Sequence, residues 1–124
     1  MLLTLLACIG GLGDSETETE INTLEDSGAL CTKEDGTLKV DFQTCLSSSC
    51  DTLLSAVCTA TLEDDLLTVT ATAEIASQVG GACTDDCGFV EASCDGPYIE
   101  DTSVVRVRYG GSTVPFDDLD TCAW

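Results

Sequence analysis

Nine cysteines in 124 residues constrain this chain more than any other feature. Eight fall between Cys31 and Cys122, and Cys8 stands apart, directly behind an apolar run. A domain of this size buries only about 60–65% of the surface that its unfolded form exposes, so covalent support matters. Cysteine this dense, in a chain without histidine, is the usage expected outside the cytosol, where disulfides persist. Four bridges, at about 2–4 kcal/mol each, would contribute more than the whole stability of a typical small domain.

Eight cysteines allow 105 connectivities. Spacing suggests Cys45 with Cys50 and Cys83 with Cys87 as closures of small loops, and Cys31 with Cys122 as a tie between the domain's ends. From Leu38 onward, apolar residues recur with a period of two, the mark of half-buried strands. Leu38, Val40 and Phe42 form one inward set, and Ala56, Cys58, Ala60 and Leu62 a second. After the turn Glu63-Asp64-Asp65 come Leu67, Val69, Ala71, Ala73 and Ile75, with threonines facing away. Val90, Ala92 and Cys94 follow, then Val105, Val107 and Tyr109, the turn Gly110-Gly111 and a short strand at Thr113-Val114. Six strands emerge, with one possible helical turn over Thr52 to Val57. The fold class expected is all-β, a small antiparallel β-sandwich stapled by disulfides.

Cys58 and Cys94, both inward and in mid-strand on different hairpins, resemble the cysteine pair of immunoglobulin domains. That resemblance implies that the two are bonded across the sandwich. It extends to the pattern alone: the single tryptophan is Trp124, outside the pair, and no tyrosine corner is recognisable.

The amino end resembles a bacterial lipoprotein precursor, with Leu5-Leu6-Ala7-Cys8 in the place of the lipobox. The resemblance implies cleavage before Cys8, a diacylglycerol on its thiol and acylation of the new amino group. Two or three acyl chains anchor stably, since each buried methylene contributes about 0.8 kcal/mol. The match covers eight residues and departs from the family in its leader, which has seven residues and no positive charge, against about 15–30 residues with a basic start. Either translation begins upstream of Met1, or Cys8 lies in an unprocessed terminus. A residue other than aspartate at Ile9 implies, by the same resemblance, the outer membrane of a Gram-negative bacterium. The expected organisation is a signal remnant over residues 1–7, a lipidated cysteine and acidic flexible tether over 8–28, and the β-domain over 29–124. Glycine, acids and a lack of aromatics make the tether a poor candidate for burial.

Twenty-three acids against four basic residues give a net charge of -19, which repels phosphates and excludes nucleic acid from the expected partners. Zinc is a poor match, with cysteine pairs but no histidine and an oxidising compartment. Calcium is a possible ligand, with Asp117, Asp118 and Asp120 the best cluster, although no EF-hand order is present and aspartate is a common turn residue. No G-x-S-x-G motif or phosphate loop occurs, so no enzyme and no obligatory cofactor are expected. Arg106 and Arg108, two apart on an outward face, suit either an anionic ligand or, more simply, cross-strand ion pairs with the abundant acids. The function expected is a non-enzymatic envelope lipoprotein with a protein or glycan partner. A calcium-dependent adhesion or glycan-binding module is the alternative, and a small carboxylate-dependent hydrolase a second.

Overall fold

A computed structural model describes residues 18–123; Trp124, the expected signal remnant over 1–7 and the expected lipidation site Cys8 lie outside them. The strands are β1 (Glu18–Glu25), β2 (Ala29–Thr32), β3 (Leu38–Leu46), β4 (Asp51–Glu63), β5 (Leu66–Val79), β6 (Gly88–Asp95), β7 (Arg106–Tyr109), β8 (Ser112–Pro115) and β9 (Asp120–Thr121). Two 3-10 turns, Thr102–Val104 and Phe116–Asp118, are the helical content of these residues. The described residues are therefore mostly β. Hydrogen bonding follows one path, β8-β7-β5-β4-β6-β3-β2-β9, with β1 on the free edge of β5, and the sheet curls into a half-barrel.

The period-two pattern builds this sheet as expected. Leu67, Val69, Ala71, Ala73 and Ile75 of β5 all face the core, where they meet Leu38, Val40 and Phe42 of β3 and Val90 and Ala92 of β6. The β4–β5 hairpin pairs from Glu63 with Leu66 down to Asp51 with Ser77, and Asp64 supplies the left-handed turn residue at φ 56°. Gly110 and Gly111, both at positive φ, turn β7 into β8, as a two-residue hairpin loop of the mirror-image type requires.

Several expectations need correction. Residues 18–25, placed in the tether by composition, form β1 and pair antiparallel with β5 from Thr72 to Val79. Backbone hydrogen bonds need no apolar side chain, and Glu18, Glu20 and Glu25 suit an edge strand whose charges discourage further pairing. Thr52 to Val57 is strand, not a helical turn: its β-branched and small residues continue β4, with an irregularity between Leu53 and Ser55. Nine strands replace six, because β2 and β9 have four and two residues, too few to show a period. Three of the pairings are parallel, β2 with β9, β4 with β6 and β5 with β7, where an antiparallel arrangement was expected. Leu62, assigned inward, is 36% exposed at the hairpin end.

Outside their shared core, the two halves of the sheet meet at few points. One is the parallel pair of β4 and β6, limited to Cys58 with Cys94 and Thr59 with Asp95. Another is the crossover Asp26-Ser27-Gly28, which carries the chain from the edge of β5 to the edge of β3. Asp26 continues the β1 ladder, its amide donating to the Ala71 carbonyl and its carboxylate accepting from the Ala71 amide, both at 2.8 Å. Gly28, at φ 86°, lies so close to Asp41 that a Cβ would fall on its carbonyl oxygen. The Tyr109 hydroxyl donates to the Ser27 carbonyl at 2.6 Å, 82 residues apart in sequence.

Burial, with the nearby Asp26 carboxylate, pushes the Tyr109 phenol up to about 12. The folded state thus favours the neutral phenol: its contribution is complete below pH 10 and is lost as pH rises through 12. Tyr109→Phe should cost about 1 kcal/mol at neutral pH. It should also flatten the alkaline fall in stability between pH 10 and 12, as measured by denaturant unfolding at each pH. An unchanged alkaline profile would show that Tyr109 is not the group responsible.

A candidate binding end and two other surfaces

The end of the sheet where β3 turns into β4 and β5 runs toward β6 is built from sulfur and hydroxyl groups. Cys45 bonds Cys87 and Cys50 bonds Cys83, so one bridge fastens the 80–87 loop to the end of β3 and the other fastens it to the 47–50 turn. This corrects the expected local closures, Cys45 with Cys50 and Cys83 with Cys87. The reason is register: Cys45 pairs with Phe89 across β3 and β6, which brings Cys87 within a Cα distance of 4.7 Å. The Gln78 amide donates to the Cys50 carbonyl at 2.8 Å, holding Cys50 near the end of β5 from which Cys83 departs. The other two expected pairings, Cys31–Cys122 and Cys58–Cys94, are present, the second between neighbouring strands of the sheet and not across two layers. Cys58 and Cys94 are register partners on adjacent strands, with Cα atoms 4.3 Å apart, so their bond closes the seam of the curled sheet.

Side chains interlock across the stapled loops. The Ser47 and Thr84 hydroxyls lie 2.9 Å apart, the Thr84 amide donates to Ser49 Oγ at 2.9 Å, and the Ser47 amide donates to Asp51 at 2.7 Å. Thr84 Oγ1 donates to Asp86, and the Ser48 amide donates to both oxygens of the same carboxylate at 3.3 Å. These donors, the Thr84 hydroxyl first, hold the Asp86 carboxyl down at about 2. An acid held that low is a weak base at neutral pH and a poor proton donor. What the arrangement offers is a rigid, polar, solvent-facing loop pair, beside which Phe89 is 73% exposed.

The other expected site residues fare differently. Asp117 and Asp118 sit in a 3-10 turn and Asp120 in β9. The Thr102 hydroxyl donates to Asp117 at 2.6 Å, and no group of three acidic or thiol side chains among the described residues is placed to hold a metal. Asp117, Asp118 and Asp120 are not among such a group. Arg106 and Arg108 are exposed on β7, yet neither has a carboxylate within 4.0 Å among the described residues. The cross-strand ion pairs expected for them are absent there, because register sets Thr113, Thr68, Pro115 and Leu66 beside them instead of acids. Sequence reasoning missed an apolar indentation of about 120 Å³ lined in part by Leu38, Ala60, Leu67, Phe116 and Tyr98. Tyr98 is 81% exposed, and its Gly-Pro-Tyr context was the available signal.

Non-reducing peptide mapping should recover Cys45 with Cys87 and Cys50 with Cys83; a Cys45–Cys50 peptide would contradict the loop geometry. In a carboxyl-detected NMR titration Asp86 should titrate near pH 2. Its stabilisation is complete above the ordinary aspartate value of 3.8 and is lost as pH falls through 2. A midpoint near 3.8 would mean that the Thr84 and Ser48 contacts do not form. Comparison with protein-family models, with curated proteins and with solved structures returns no match.

Proposed function

We propose that this chain is an extracytoplasmic lipoprotein whose β-domain serves as a non-enzymatic interaction module at the cell envelope, anchored through a diacylated Cys8 in the outer membrane of a Gram-negative bacterium. The observation that carries the proposal is the sulfur count. The chain has nine cysteines, and the eight of the described residues are consumed in four bridges. Cys8 is left without an intramolecular sulfur, at the one position where an apolar run and a small residue precede a cysteine. The bridges themselves favour an oxidising compartment.

On this reading the two halves of the curled sheet act as the facing layers of an immunoglobulin-like sandwich, with the Cys58–Cys94 bond at their join. The stapled loops 47–50 and 80–87 are then a rigid recognition end, since binding residues are commonly carried on loops that a scaffold positions. Nine residues separate Glu18 of β1 from Cys8, a reach of at most about 35 Å. The module would therefore work close to the lipid surface.

Metabolic labelling with a clickable fatty acid tests the anchor. The wild type should incorporate label and partition with membranes, and Cys8→Ser should lose both. A wild type without incorporated acyl chain, or label that survives in Cys8→Ser, would overturn the anchor.

A further inference from the structure

The outward face of the β8-β7-β5-β4 region carries an organisation that neither the core nor the bridges require. Val107 is buried beneath β7, as are Leu67 and Val69 beneath β5, so Arg106, Arg108, Thr68 and Thr70 occupy the opposite face. Register aligns Thr113, Arg108, Thr68 and Thr61 in one row across four strands. Thr70 and its partner Thr59 form the next row on β5 and β4. Among the described residues none of these five threonine hydroxyls bonds to another protein group. Both guanidinium groups are likewise without an ion pair, in a chain whose net charge is -19.

Arginine without an ion pair among the described residues, amid so many carboxylates, is unexpected if charge neutralisation were its use. The nearest acid in the Arg106 row is Glu63, two strands away, or roughly 10 Å at ordinary strand spacing. Asp65 accepts the Arg106 amide through its backbone carbonyl at 2.8 Å, and its carboxylate makes no ion pair with the guanidinium. Residues two apart on a strand lie about 7 Å apart, a separation from which two guanidinium forks can converge on one oxyanion. The uncharged hydroxyl row leading away from Arg108 supplies donors and acceptors over the width of a sugar or two.

We propose that this face is a binding site for an acidic sugar: the carboxylate of a uronic acid lies between Arg106 and Arg108, and its ring hydroxyls lie on Thr68, Thr61 and Thr70. The overall charge selects against long polyanions, which would meet the surrounding carboxylates, whereas a single acid group within a Debye length of about 8 Å feels chiefly the two arginines. The proposal goes beyond the interaction-module reading by naming a second surface, apart from the stapled loops, and is independent of the lipid anchor, so failure of either leaves the other standing.

The test is an amide-shift NMR titration of the oxidised protein with methyl glucuronide, methyl glucoside and sodium acetate. Methyl glucuronide should bind saturably and shift amides of β4, β5 and β7; acetate should shift β7 alone and more weakly, and the neutral glucoside should shift neither set. Arg108→Gln should weaken the glucuronide by about tenfold or more. Thr68→Val should weaken it by a few-fold while leaving acetate unaffected, and both variants should keep the wild-type melting temperature, because the altered groups face solvent. Equal binding of the neutral glucoside, glucuronide affinity unchanged in Arg108→Gln, or shifts confined to other strands would each overturn the proposal. Acetate binding as tightly as the glucuronide would also overturn it, by showing a bare anion contact without recognition of the sugar.

Discussion

The structure depends on sulfur placed where hydrogen bonding is thinnest. The two halves of the sheet share a parallel seam of two residue pairs, and the Cys58–Cys94 bond sits on one of them. At one end of the chain β9 contributes two residues to β2, and Cys31–Cys122 secures that contact. At the loop end, segments with hardly any buried residue are fastened by Cys45–Cys87 and Cys50–Cys83. Each bridge therefore reinforces a junction that backbone pairing alone leaves weak. The core beneath is made of small and medium side chains, valines and alanines above all, and supplies less apolar area per residue than an aromatic core would.

Much of this was legible where a local pattern dictates the outcome. The alternation Leu67 to Ile75 could satisfy only a half-buried strand, and the Asp64 and Gly110-Gly111 turns follow from their chemistry. Legibility failed where the outcome depends on a distant partner. Residues 18–25 carry too few apolar side chains to announce a strand, and β1 exists because β5 presents a free edge to it. Cys45 and Cys50 look like a natural local pair, but the β3–β6 register puts Cys87 nearer to Cys45. The same holds for the arginines: their spacing is visible in the sequence, whereas the threonines that flank them come from three other strands.

The charge distribution connects architecture with use. Acids crowd the turns, the edge strand β1 and the stapled loops, where they keep the surface soluble and discourage edge-to-edge association. The outward face around β7 departs from that rule by combining two exposed arginines with a row of hydroxyls. A β-scaffold of this size has little room for a deep cleft, so the binding proposed above would fall to its faces and its loop ends. The rigidity that the bridges give those surfaces would lower the entropic cost of such binding.

The central claim is that the core alone does not hold the fold, and that the bridges supply the stability that its weak junctions lack. Thermal unfolding of the oxidised and fully reduced chain at neutral pH, followed by circular dichroism, tests it most directly. The account predicts a cooperative β-sheet transition for the oxidised protein and none for the reduced one at 25 °C. A reduced chain that still melts cooperatively within a few degrees of the oxidised form would contradict it.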